Sequence, residues 1–214
     1  MNKPLVILGA GGHAAVLVDA LKQQNAEVLG LVSPELDIHR RALQGIPHYL
    51  QDDDVLTFSS DDINLVNGLG SLPGNTLREK LFTKFTALGY RFERVIAGSA
   101  IISPYAELGH GVQVMPGVII QAGAVIGVNS IINSGAIIEH DCVIGAHNHI
   151  APGVTISGDV TTGEYVHIGT GASVIQGIKL ANNVVVSAGV AVTKNIPAAC
   201  TVFNGRICMI PKKG

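Results

Sequence analysis

The chain has 214 residues, enough for one large domain or two small ones, and its 14 Lys+Arg against 16 Asp+Glu leave a formal net charge of -2. With no basic run beyond Lys212-Lys213 it lacks the electrostatic footprint of a nucleic-acid binder. No apolar stretch nears the ~18 to 20 residues of a spanning helix, Met1-Asn2-Lys3-Pro4 opens no signal peptide, and three cysteines without metal-ligand spacing suit reduced thiols, so the composition predicts a cytoplasmic protein without membrane insertion.

Residues 1 to 98 read as a small α/β domain. Leu5-Val-Ile-Leu8 predicts a short buried strand, Ala14 to Gln24 an amphipathic helix, Ala26 to Val32 a second strand and Asn64 to Asn67 a third. A second helix is expected over Asn75 to Leu88 and a fourth strand over Arg91 to Ile96. The pattern is half the size of a full dinucleotide domain, a half-Rossmann-like sheet. Between the first strand and helix, Gly9-x-Gly11-x-x-Ala14 matches the dinucleotide fingerprint, in which glycines let the backbone approach phosphate. Against NAD stand the missing second half and the second strand's end, Leu31-Val32-Ser33-Pro34, which lacks a ribose-binding acid. A different nucleotide is the functional reading and a plain structural turn the alternative. His13 either touches a diphosphate or caps the helix.

From Ile102 the period changes to six. Stepping by six from Ile102 to Val192 gives sixteen positions, all aliphatic except Thr162. The residues four after each are mostly small or β-branched, among them Ala124, Ser130, Ala136 and Cys142, with Asn148 also in the series. Period six fits neither a helix nor strand alternation; it is the signature of hexapeptide β-helix repeats. Gly109, Gly127, Gly145 and Gly163 recur at eighteen, three hexapeptides, so each coil has three short strands and residues eighteen apart are stacked neighbours about 4.8 Å apart. The coil is expected over 99–196, with 197–214 as a C-terminal cap or tail.

His140 falls at a corner, two residues after the inward Ile138, and its stacked neighbours are Ala122 and Gly158. Small residues on both sides leave room for a reacting group, imidazole is the natural base at neutral pH, and Asp141 can hold the ring. Gly158 offers a bare N–H to a developing oxyanion. The bland alternative is a solvated turn histidine. His149 and His167 stack, but with Ile131 and Val185 beyond them no third ligand lines up, so no metal is expected. Cys142 takes an inward position and is read as packing rather than a nucleophile. Ile119, Val125, Ile131, Ile137 and Val143, each just before an inward aliphatic, predict an outward apolar band that meets other subunits.

The Gly9-Ala-Gly-Gly-His13 turn, the uninterrupted hexapeptides and Ile138-Glu-His-Asp-Cys142 together resemble the left-handed β-helix sugar acyltransferases, and most nearly the bacterial UDP-4-amino-sugar N-acetyltransferases of the bacillosamine type. The resemblance covers the whole chain. It implies a left-handed prism, a homotrimer, acetyl-CoA as cosubstrate between neighbouring prisms and a nucleotide sugar in the N-terminal domain. It also implies direct N-acetylation with His140 as general base, Asp141 raising its basicity and the Gly158 N–H polarising the thioester. His149, Thr170 and Ala188 fall at coenzyme A contacts; Gly11, Gly12, His13, Ser33 and Gly70 fall at sugar-nucleotide contacts. Departures are Asp141 for a Glu, Ser33-Pro34 for an acidic pair, and a tail without the usual Gly-x-Pro-Ala. Competing readings are O-acetylation of sialic acid or another sugar, a GDP-perosamine-type acceptor, and a non-catalytic β-solenoid scaffold.

Overall fold

The structure is a computed structural model that describes residues 3–35, 39–203 and 206–209. The chain divides into two compact units, Met1–Gly98 and Ser99–Gly214.

The first unit is a four-stranded parallel sheet. Its strands are β1 (Leu5–Leu8), β2 (Val28–Val32), β3 (His48–Tyr49) and β4 (Asn64–Asn67), in the order β3-β2-β1-β4. Helix α1 (Gly12–Gln23) joins β1 to β2, and α2 (Leu77–Ala87) follows β4. All four residues of β1 are buried, which explains its unbroken apolar run: a central parallel strand is covered on both faces. Helix α1 buries Ala14, Leu17, Val18 and Leu21, the helical spacing read from the sequence, and starts two residues earlier than expected. Strand β3 escapes sequence reading because it is a two-residue His-Tyr edge; it exists through its pairing of His48 with Leu31 and Tyr49 with Val32. The strand expected over Arg91 to Ile96 shrinks to Val95–Ile96, with Phe92 bridged separately to Leu65.

The second unit is the left-handed, three-sided β-helix. Among its described residues, sixteen two-residue strands recur every six residues from Ile101–Ile102 to Ala191–Val192. Partners are eighteen apart on each face: Ile119 with Ile137, Val125 with Val143, Ile131 with His149. The inward aliphatics from Val114 to Val192 are buried, as are the second inward set from Val112 to Ile196.

The corners obey a rule that the sequence conceals. At every sixth residue from Gly111 to Gly189 the backbone has positive φ. One corner column is all glycine, Gly117, Gly135, Gly153, Gly171 and Gly189; in the other two the position is held by Gly111, Gly123 and Gly177 and by Asn129, Asp141, His147, Asp159, Tyr165 and Asn183. Asn and Asp tolerate this region better than other side chains. His147 and Tyr165 are compensated by stacking on each other, with centroids 5.0 Å apart and planes 4° apart. The glycines at 109, 127, 145 and 163 serve another purpose: a Cβ on Gly145 would strike the Gly163 carbonyl and one on Gly127 would lie 2.5 Å from the Gly145 carbonyl carbon. They allow close approach between laps rather than a left-handed turn.

Thr162, the one non-aliphatic residue in the series from Ile102 to Val192, belongs to a buried polar chain. The Asn148 Nδ2 donates to Thr162 Oγ1 at 2.6 Å and to the Gly163 carbonyl at 3.0 Å, while Asn148 Oδ1 accepts from the Val166 N–H at 2.7 Å. Ser130 Oγ donates to the Gly145 carbonyl and accepts from the Asn148 N–H, both at 3.0 Å. Asn148→Ala strands several of these groups without water, so urea titration is expected to show a loss of roughly 2 to 4 kcal/mol.

The outward apolar residues do not form one band. Ile119 and Ile137 share one face, Val125 and Val143 share a second and are exposed, and Ile131 lies on the third and is buried. A triangular coil sends successive hexapeptides to different sides, so five residues at period six cannot share one side. Within the described tail, Cys200–Phe203 continues one face by pairing with Val185–Val186, and Arg206–Met209 folds back antiparallel on it.

Candidate active site

The corner at His140 is shaped by two glycines. Asp141 has φ +59°, the left-handed corner conformation, and its carboxylate Oδ1 occupies the place of the side chain that Gly123 lacks. The His140 ring likewise rests on Gly158: a Cβ there would lie 2.6 Å from both Cε1 and Nε2. The laps are pinned in register, with the Asp141 N–H donating to the Ala122 carbonyl and the Asp159 N–H to the His140 carbonyl, both at 3.0 Å. Ala122, His140 and Gly158 are therefore side by side.

His140 Nδ1 is 2.8 Å from Asp141 Oδ2. A carboxylate accepts, so Nδ1 carries the proton and Nε2 presents its lone pair. The pair is exposed, and the imidazole pKa is raised above its ordinary value, first by the hydrogen bond to Asp141 and further by the charges of Asp141, Glu139 and Asp159, against a lowering by desolvation. The Gly158 N–H makes no hydrogen bond among the described residues. Chemically, the corner holds an oriented base beside a backbone donor. Cys142 next to it is buried, with Sγ donating to the Ser157 carbonyl at 3.2 Å and its thiol pKa pushed up by burial.

His149 is half-buried on another face, edge-on to His167 with ring centroids 4.9 Å apart. Asn133 Nδ2 lies 3.1 Å from His149 Nε2. The Asn133 Oδ1 accepts the Ser134 N–H, which orients the amide. Burial lowers the His167 pKa. Among the described residues no group of three or more His, Cys, Asp or Glu is placed to hold a metal. Thr170 and Ala188 are exposed and lie a lap apart, Gly189 N–H donating to the Thr170 carbonyl at 2.9 Å. They follow the strands of the His149 face, whereas His140 follows Ile137–Ile138 on the next face. The structure thus brings Ala122, His140, Asp141 and Gly158 together in one chain and puts His149, Thr170 and Ala188 elsewhere on the coil.

In the first unit, Gly11 is the N-cap of α1, Gly12 its first residue, and a Cβ on Gly70 would be 3.8 Å from that of His13. Gly9, at φ +109°, makes the turn. Ser33 directly follows β2; its N–H donates to the Tyr49 carbonyl at 2.9 Å and its carbonyl faces His48 Nε2 at 2.8 Å, so its backbone serves the β3 edge. These residues all lie at the carboxyl ends of parallel strands, where open α/β sheets take ligands. Arg40 is an addition that sequence reading misses: its Nη1 is 3.3 Å from where a Cβ on Gly12 would sit. It comes from an irregular loop, where no periodicity marks it.

Comparison with known proteins places these features. The PglD N-terminal domain family matches residues 4–85, the six-repeat bacterial transferase hexapeptide residues 123–158, and the hexapeptide repeat of succinyl-transferase residues 160–194. A perosamine N-acetyltransferase variant from Caulobacter crescentus, solved with CoA and GDP-perosamine, is 34% identical over 92% of each chain, with a TM-score of 0.84. The chain belongs to the PglD-like hexapeptide-repeat sugar acyltransferases. The acetyltransferase domain of PglB from Neisseria gonorrhoeae FA1090, solved with acetyl coenzyme A, is 27% identical over 97% of this chain and 99% of that one, at TM-score 0.87. WeeI from Acinetobacter baumannii AYE, at 24% identity over 96% and 99% and TM-score 0.84, shares the fold. No curated protein sequence matches the chain. Among the described residues no helix is long and apolar enough to cross a membrane.

Proposed function

We propose that this acyltransferase moves the acetyl group of acetyl-CoA onto the amino group of a nucleotide-linked amino sugar, of the UDP-4-amino-4,6-dideoxy type, by direct transfer. The observation that carries the reading is the His140–Asp141 pair, 2.8 Å apart, with the ring seated on Gly158. In this reading His140 Nε2 takes a proton from the sugar amine as its nitrogen bonds to the thioester carbon. The Gly158 N–H receives the oxyanion, the C–S bond then breaks, and the imidazolium returns its proton to the departing thiolate. Gly11, Gly12, His13, Ser33 and Gly70 hold the nucleotide sugar, while His149, Thr170 and Ala188 hold coenzyme A. The spread of these last three away from His140 on one chain supports a homotrimer in which neighbouring coils complete the site.

A GDP-linked acceptor is the second reading, favoured by 34% identity to a perosamine N-acetyltransferase solved with GDP-perosamine. The replacement of an acidic pair by Ser33-Pro34 also speaks for a nucleotide other than UDP. Incubation with acetyl-CoA and a panel of UDP- and GDP-amino sugars, read by thiol release, tests both. Release with one nucleotide series identifies the acceptor, release only with hydroxyl sugars replaces N- by O-transfer, and no release with any of them sinks the enzymatic reading.

A further inference from the structure

Arg78 sits in the first turn of α2, where the helix dipole disfavours a cation, and it is 94% buried, being only 6% exposed. Burial lowers its pKa to about 9. Both penalties fall on one side chain, and both are met by backbone oxygens. Its Nη1 donates to the Asn67 carbonyl at 2.8 Å and to the Leu69 carbonyl at 2.6 Å, and the Asn67 side chain returns a bond to the Arg78 carbonyl at 2.9 Å.

Those two carbonyls belong to the Asn67–Gly68 and Leu69–Gly70 peptides. In a trans peptide the C=O and N–H point in opposite directions, so the N–H groups of Gly68 and Gly70 are aimed away from the guanidinium. A cation bonded to the oxygen also polarises the N–H of the same peptide, making it a stronger donor. Neither N–H has a hydrogen-bond partner among the described residues. Gly70 stands beside His13, 3.8 Å from its Cβ, at the glycine turn, while Gly68 is packed against Ala14 and the Leu8 carbonyl. Leu69, Gly70 and Arg78 also line a cavity of about 230 Å³.

We propose that Arg78 is a positioning residue that acts through the Leu69–Gly70 peptide, making the N–H of the exposed Gly70 a second anion-binding arm beside the α1 N-terminus. The anion it serves is the diphosphate of a nucleoside diphosphate sugar. This rests on reading the first unit as the nucleotide-sugar-binding one. The arm explains why a costly buried cation is kept beside this loop: the charge reaches the ligand through the Leu69–Gly70 peptide and never touches it, while the bond to the Asn67 carbonyl holds the guanidinium in place.

The test compares wild type with Arg78→Met and Arg78→Lys by calorimetry, using UDP, GDP, inorganic pyrophosphate, uridine and guanosine. Losing charge-assisted orientation is expected to weaken diphosphate binding ~10- to 100-fold in Arg78→Met. The loss should be smaller in Arg78→Lys, which keeps the charge. Nucleoside affinity and coenzyme A affinity should stay at the wild-type level. Equal losses for nucleoside and nucleoside diphosphate would reduce Arg78 to a structural prop and overturn the proposal, as would undiminished diphosphate binding. If either variant fails to fold, Gly70→Pro, which removes the N–H of the arm and leaves Arg78 in place, should show the same phosphate-selective loss, and its absence overturns the proposal. Wild-type binding of pyrophosphate without either nucleotide would sink the nucleotide reading and leave the arm standing; no binding of pyrophosphate or of either nucleotide would remove the arm itself.

Discussion

His140→Ala is expected to lower turnover by ~10² to 10⁴, the usual worth of a positioned general base, while coenzyme A binding and assembly persist. The side chain is exposed and fills no core, so its removal leaves the coil's inward aliphatics in place. The pH profile provides a second reading of the same group. A general base works unprotonated, and the hydrogen bond to Asp141 holds the His140 pKa above the ordinary imidazole value. Turnover should therefore fall as pH drops through that raised value. In Asp141→Asn the support is gone, and the acid limb should move to lower pH. Near-normal turnover of His140→Ala, or an acid limb that ignores Asp141→Asn, would remove this pair from the mechanism.

Gly158→Ala carries the other large effect. The added methyl would stand 2.6 Å from His140 Cε1 and Nε2, closer than any side chains approach. The ring is the free end of an exposed side chain, so it swings aside and the fold survives with little change in thermal midpoint. Displacing a catalytic group by about 1 Å costs on the order of 10² in rate. Alanine keeps the backbone N–H, so this loss reports the misplaced base and not a missing oxyanion donor. The double variant His140→Ala, Gly158→Ala should then be no slower than His140→Ala alone, a full coupling between touching residues. Additive losses would mean that Gly158 acts separately from His140.

Much of this site can be read from eighteen-residue arithmetic. Once period six is seen, Ala122, His140 and Gly158 must be neighbours, and the register Val125 with Val143 and Ile131 with His149 follows. The same arithmetic misleads where a residue type has two uses. Glycine marks both left-handed corners and close backbone approaches, and the series at 109, 127, 145 and 163 belongs to the second use. The corner series hides because Asn, Asp, His and Tyr share it with glycine. The apolar residues at 119 through 143 suggest one band only if the coil is treated as flat; its three sides separate them and bury Ile131. In the first unit, strong periodicity reveals α1, but β3 and Arg40 arise from tertiary placement of an irregular segment. Arg78 reads as an ordinary helical surface cation, and only its burial reveals otherwise.

An interior built from interchangeable aliphatics is indifferent to slippage, because a strand stack displaced by one whole repeat of eighteen would still set hydrocarbon against hydrocarbon. The side chains of Ser130, Asn148 and Thr162 remove that degeneracy. A displaced alignment would face these three side chains with aliphatic ones and forfeit the bonds of Asn148 to the Thr162 and Ser130 hydroxyls. Three polar residues thereby act as a keyed notch, singling out one alignment among several that packing alone would accept.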